Sequence, residues 1–245
     1  MTTAQPYPKR FYSLDVLRGL AALSIVFWHW QHFFFLGGKP SSFAGNQQPL
    51  FKIFFIFYNK GYFAVDLFFS LSGFLFYWLY SSQISNREIL AKDFFILRFS
   101  RLYPLHLLTL LWVAALHILF ANVADTYFVY PYNDAYHFFL NLALASSWGL
   151  EKGYSFNGPV WSVSVEVLLY ALFFLMCRLL PVRTVVMAGI SLAGFLSFLY
   201  RIYPELSRGL GAFFLGGCVY LAYAWILTYR TKEFPPTPPG PNLIP

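Results

Sequence analysis

Apolar residues run along this chain in stretches of about 20, each long enough to cross a hydrocarbon core of about 30 Å as a helix. The stretches are Leu14 to Leu36, Gly61 to Tyr80, Leu102 to Ala121, Trp161 to Leu180, Val182 to Tyr200 and Leu210 to Leu227. None shows the period-two alternation of a β-barrel strand, and in lipid each must satisfy its backbone polar groups within itself. The pattern predicts an all-α fold, a polytopic transmembrane helix bundle of about six spans. His137 to Trp148 is apolar but too short to span comfortably and reads as a re-entrant or interfacial segment. Lys9 and Arg10 precede the first stretch, Asp15 and Arg18 interrupt it, and Ala-x-Ala cleavage chemistry is missing, so it reads as a retained span. The helical domain is expected over residues 11–228. Residues 229–245 contain too many prolines for helix and read as a disordered tail, with the composition expected at the end of a truncated or frame-shifted gene.

Composition excludes a soluble fold. The chain is 58% hydrophobic and 11% charged, against about 45–50% apolar and about 25% charged in ordinary globular domains. Its formal charge of +7 comes from 17 basic residues scattered between the apolar stretches rather than gathered in one stripe, so nucleic acid is not an expected partner. Membrane topology explains them better. With the short segment not crossing, Lys9, Arg10, Arg87, Lys92, Arg98, Arg101, Arg178, Arg183, Arg230 and Lys232 fall on one side, and Lys39, Lys52, Lys60, Lys152, Arg201 and Arg208 on the other. That bias places the N-terminus in the cytoplasm. Cys177 and Cys218 both lie in apolar segments, so neither a disulfide framework nor a metal site is read from them.

Ionisable groups inside apolar stretches are costly, from about 2.5 kcal/mol at the bilayer centre, and mark function by default. Arg18 and His29 are eleven residues apart, which at 3.6 residues per turn brings them within about 20° of one face, roughly 16 Å apart along the axis. With Arg18 near the cytoplasmic interface, that stripe places His29 about two-thirds of the way across. Alone, Arg18 also reads as a snorkelling anchor paired with Asp15, and His29 as a histidine bonded between helices. Asp66, Ser70 and Gly73 share a face by i, i+4, i+7 spacing and are expected to meet one neighbouring helix. Arg98 and Arg101 open the third stretch with two guanidinia three residues apart, suited to phosphate or to lipid headgroups. Ser162 and Glu166 share a face after Trp161, with Glu166 either paired, protonated, or bonded to Ser162.

Taken together, four strings resemble the acyltransferase-3 family of membrane O-acyltransferases: Arg10-Phe-Tyr-Ser-Leu-Asp15-Val-Leu-Arg18, then ten intervening residues and His29; Gly61-Tyr-Phe-Ala-Val-Asp66 with Ser70 and Gly73; Arg98-Phe-Ser-Arg101-Leu-Tyr-Pro104; and Trp161-Ser162 with Glu166. They occur in the family's order and cover about Arg10 to Tyr170. The resemblance implies that His29 is essential for acyl transfer, as a base toward an acceptor hydroxyl or a brief acyl carrier. It raises Asp66 as a partner of Arg18 or His29 and lets Glu166 orient His29 as a carboxylate does in a catalytic triad. Arg98 and Arg101, with Arg18, would bind the donor, and Asp15, Ser70, Ser162 and Trp161 would support the site. The resemblance further implies acetyl-coenzyme A or another acyl-coenzyme A as co-substrate with no bound cofactor, a cell-surface carbohydrate or similar acceptor, and a multi-pass inner-membrane location. It leaves the oligomeric state open. The family usually has about ten spans, so this chain reads as a C-terminally shortened member.

Three other readings fit parts of the sequence. Histidines 29, 32, 106 and 117 on two spans could hold haem, but that leaves Arg98, Asp66 and Glu166 without roles. Arg18, Asp66 and Glu166 could form the polar path of a transporter or proton relay. A shortened chain could also be an inactive membrane fragment.

Overall fold

The computed structural model of the protein describes residues 11–36, 39–40, 45–123, 127, 129–180 and 184–231. Lys9, Arg10, Arg183, Lys232 and the proline-rich stretch after Thr231 lie outside the described residues, as does the side chain of Arg230. Among the described residues eight α-helices follow one another: α1 Tyr12–His29, α2 Phe51–Lys60, α3 Ala64–Ser85, α4 Ala91–Ala121, α5 Ala135–Leu142, α6 Trp161–Leu179, α7 Thr184–Leu199 and α8 Pro204–Thr231. Short 3-10 turns at Trp30–Phe34, Gly45–Gln47, Gly61–Phe63 and Gly158–Val160 join them, together with a two-residue antiparallel ladder pairing Phe35 with Pro40 and Leu36 with Lys39. The expected all-α fold is observed.

Among the described residues, four helical stretches are long and apolar enough to cross a membrane: Phe51–Ser85, Ala91–Ala121, Gly158–Leu179 and Pro204–Leu227. In the first, α2 and α3 join through the single 3-10 turn at Gly61. α7 is apolar but shorter. The first stretch is corrected: its α-helix ends at His29 rather than Leu36, because the aromatic and polar run after it tightens into a 3-10 turn. His29 therefore closes the helix. The third stretch opens at Ala91, ahead of Leu102, so Arg98 and Arg101 stand inside α4, with Arg98 half-buried and Arg101 exposed. α5, at eight residues, spans about 12 Å and cannot cross, in line with the short segment expected at residues 137–148.

The chain divides into two compact units, Met1–Leu20 with Asp66–Asp93 and Leu169–Pro245, and Ala21–Val65 with Phe94–Leu168. In the first unit α3 is the central strut. Its expected small face meets α8: a side chain at Gly73 would strike the Phe213 backbone, and one at Gly216 the Ser70 carbonyl. Two backbones this close leave room only for glycine, which is how membrane helices gain packing without a hydrophobic drive between them. Tyr77, Phe173, Phe213 and Phe214 fill the centre, with Phe76 stacked on Tyr170 at 4.5 Å and Tyr77 edge-on to Phe173 at 4.9 Å. Asp66, Phe74 and Tyr77 meet Arg208, Tyr220 and Gly217 in turn, so α3 and α8 run parallel. α7 folds back onto α8 through Gly194 against Gly211 and a Ser191 hydroxyl donating to the Gly211 carbonyl at 2.8 Å.

The second unit holds α5 against α4 by polar bonds. Tyr103 donates to the Leu142 carbonyl at 3.1 Å and His106 Nε2 to the Asn141 carbonyl at 2.8 Å. Asp134 caps α5 by accepting from the His137 backbone N–H. The loop onward to α6 is pinned by Asn141 donating to Ser155, Asn157 to Thr109 and the Phe156 N–H to Asn133. A loop so bonded keeps its buried backbone groups satisfied without a helix of its own.

Candidate active site

Where α1 ends, the second unit opens a cleft of about 530 Å³. Its wall is aromatic: Trp28, His29, His32 and Phe35 from the end of α1 and the turn after it, Tyr127, Tyr130, Tyr132 and Tyr154 from the connecting loops, and Trp161 from the start of α6. Two glycines make the wall possible. Gly61 lets its turn lie against the Ser24 carbonyl and Trp28 Cβ, and Gly158 lets the Tyr130 ring approach to 2.5 Å of where a Cβ would stand. Burial pushes the Tyr130 phenol up, so its hydroxyl stays protonated and can both donate and accept.

His29 Nδ1 lies 3.1 Å from His32 Nδ1, with ring centroids 5.0 Å apart. His32 Nδ1 also lies 3.3 Å from the His29 carbonyl oxygen. Among the described residues no carboxylate, guanidinium or ammonium lines the cleft. In the sequence His32 reads only as a haem ligand, and its i, i+3 spacing from His29 at the end of an α-helix is the signal that pairs the two rings. The neighbour at His29 Nδ1 is thus an imidazole, where a carboxylate from Glu166 had been expected.

The remaining predicted residues are distributed. Trp161 lines the cleft, while Glu166, one turn further along α6, is half-buried and not part of its wall. Ser162 donates to the Pro159 carbonyl at 3.5 Å rather than serving Glu166. The serine that organises this end of α6 is Ser164, whose hydroxyl accepts from the Ser147 N–H and whose carbonyl accepts from the Trp148 indole. Asp66 makes a bidentate ion pair with Arg208 at 3.0 and 2.8 Å, so the partner expected from Arg18 or His29 is Arg208, which had been counted as a loop charge and stands inside α8. Ser70 sits on the same packed face of α3. Arg18 is exposed on α1 and Asp15 half-buried. His106 Nε2 donates to the Asn141 carbonyl, and His117 Nδ1 accepts from the Asn133 side chain at 3.4 Å.

Compared with known proteins, residues 11–239 match the acyltransferase domain of the acyltransferase-3 family. The chain belongs to this family. It is 39% identical to "Protein 2 in picA locus" of Rhizobium radiobacter over 115 residues, 47% of this chain and 50% of that protein. It is 33% identical to "Acyltransferase MdmB" of Streptomyces mycarofaciens over 184 residues, 73% of this chain and 43% of that protein. The chain thus matches about half the length of these relatives. No solved structure matches it significantly. For this acyltransferase-3 member the aromatic cleft around His29 joins two of the four family-like strings, through His29 and Trp161.

Proposed function

We propose that this protein transfers an acyl group, in the first instance acetyl, from acyl-coenzyme A to a hydroxyl of a cell-surface carbohydrate, as a multi-pass protein of the inner membrane with its N-terminus in the cytoplasm. The observation that carries the reading is the placement of His29 in an aromatic cleft within a family-matching chain. Aromatic faces suit the apolar C–H faces of a sugar ring, and tyrosine hydroxyls and imidazole edges suit its hydroxyls. In such a cleft a neutral imidazole can move the proton that must leave the attacking hydroxyl, general acid–base work worth about 10² to 10⁴ in rate. Arg98 and Arg101 stand on α4 as the donor-phosphate anchors, with Arg18 as the third cation assigned to the donor.

Membrane vesicles incubated with labelled acetyl-coenzyme A are expected to pass label to a hydroxylated glycan; label that never leaves coenzyme A would sink the reading. Arg98→Lys and Arg101→Lys are each expected to weaken binding of coenzyme A, since an ammonium cannot make the two parallel bonds a guanidinium makes to phosphate. Unchanged coenzyme A affinity in both variants would remove the pair from donor binding.

A further inference from the structure

Two imidazoles with Nδ1 atoms 3.1 Å apart share one hydrogen, because two facing lone pairs would repel. The second contact decides which ring owns it. A carbonyl oxygen has no hydrogen to give, so His32 Nδ1, 3.3 Å from the His29 carbonyl, carries the hydrogen and offers it to that oxygen and to His29 Nδ1. Neutral His29 then bears its own hydrogen on Nε2, and neutral His32 keeps a lone pair on Nε2. Both rings line the cleft and both Nδ1 atoms are occupied, so the two Nε2 atoms are the edges left for reactants, one an acceptor and one a donor.

We propose that His29 and His32 act as a single two-ring proton relay, in which His32 takes the acceptor's proton and His29 delivers one to the leaving group. The inference rests on the acyl-transfer reading above and assigns the atoms that carry it out. As the acceptor oxygen bonds to the acyl carbon and the carbon–sulfur bond breaks, the hydroxyl proton passes to His32 Nε2. The proton on His32 Nδ1 crosses to His29 Nδ1, and the proton on His29 Nε2 goes to the departing thiolate. Each ring gains one proton and loses one, so neither is left charged in an apolar wall. The pair ends in the opposite tautomers and returns by exchanging ring protons with water in the open cleft.

Two measurements on the full chain in lipid nanodiscs test it. With ¹⁵N-labelled histidine, and His29→Gln and His32→Asn to assign the signals, His29 is expected protonated at Nε2 and His32 at Nδ1; the reverse pattern, or two Nε2-protonated rings, overturns the relay. His32→Asn keeps an N–H donor near the Nδ1 position but has no Nε2 lone pair. It is expected to lose transfer from acetyl-coenzyme A by about 100-fold or more. If His32 only buttressed His29, asparagine would largely rescue, and a near-normal rate in His32→Asn would rule the relay out. An inactive wild type would instead refute the acyl-transfer reading itself, so the two failures are told apart.

Discussion

His29 is the residue on which the proposed chemistry turns, and its surroundings make its removal informative. His29→Ala is expected to abolish acyl transfer while leaving membrane insertion intact, because insertion follows total apolarity and alanine is no worse than histidine there. His29→Gln keeps hydrogen-bonding capacity but cannot accept a proton near neutral pH, so it too should lose about 10² to 10⁴ in rate. Near-normal transfer by His29→Gln, at wild-type abundance in the membrane, would remove the ring from the reaction. A second residue-scale expectation concerns Asp134. The His137 backbone N–H at 2.9 Å and then its Nδ1 at 2.7 Å hold the Asp134 carboxyl below the usual carboxylate range. A carboxyl depressed in the folded state stabilises fully above its unfolded value near 3.9 and loses that contribution as pH falls through the lower folded value. Protection of the His137 amide from hydrogen exchange should therefore survive to below about pH 4, and be weak at every pH in Asp134→Ala. Equal protection in that variant would show that the carboxylate does not hold the head of α5.

At the scale of helices, the ion pair between α3 and α8 makes the sharpest expectation. Asp66 and Arg208 are joined by two bonds, with side chains 31% and 18% exposed, so neither charge is freely solvated. Interhelical polar contacts in membranes are worth about 1–2 kcal/mol, and removing one partner strands the other charge. Asp66→Ala and Arg208→Ala should each lower the melting temperature of the detergent-solubilised protein, and the double variant should cost less than the two added together. Additive losses would mean that the contact is not coupled. This pair also shows what the pattern of residues reveals and what it hides. The i, i+4, i+7 face of Asp66, Ser70 and Gly73 announced a close helix neighbour, and α8 is that neighbour. Its identity was hidden because Arg208 lies 142 positions away and reads locally as a loop charge. The long helices were legible from apolar length, whereas α2, which precedes the stretch expected from Gly61, and the end of α1 were not: apolarity continues to Leu36, while the chain after His29 tightens into a 3-10 turn. Nor could spacing reveal the cleft wall, since Tyr127, Tyr130, Tyr132 and Tyr154 come from connecting loops.

For the molecule in its membrane, the direction of the helices constrains the topology. Since α3 and α8 run parallel, an odd number of crossings must separate them. α4 and α6, both long enough to cross, and the shorter α7, which folds back along α8, give three when α7 is counted as a crossing, and α5, at eight residues, adds none. A crossing α5 would make α8 antiparallel to α3 and break the run of contacts from Asp66 with Arg208 to Tyr77 with Gly217. The end of α4 and the loop before α6 must then lie on the same side of the bilayer. Asn122 and Lys152 are exposed at those two places and suit single-cysteine labelling once Cys177 and Cys218 are replaced by serine. An impermeant maleimide is expected to label Asn122→Cys and Lys152→Cys from the same face of intact cells or of sealed vesicles. Arg87→Cys, in the turn after α3, should be labelled only from the opposite face. In the proposed orientation, with the N-terminus in the cytoplasm, that opposite face is the cytoplasmic one and the loops that build the cleft are expected to be labelled from outside. Labelling of Asn122→Cys and Lys152→Cys from opposite faces would mean that α5 crosses after all, and the parallel pairing of α3 with α8 would have to be abandoned with it.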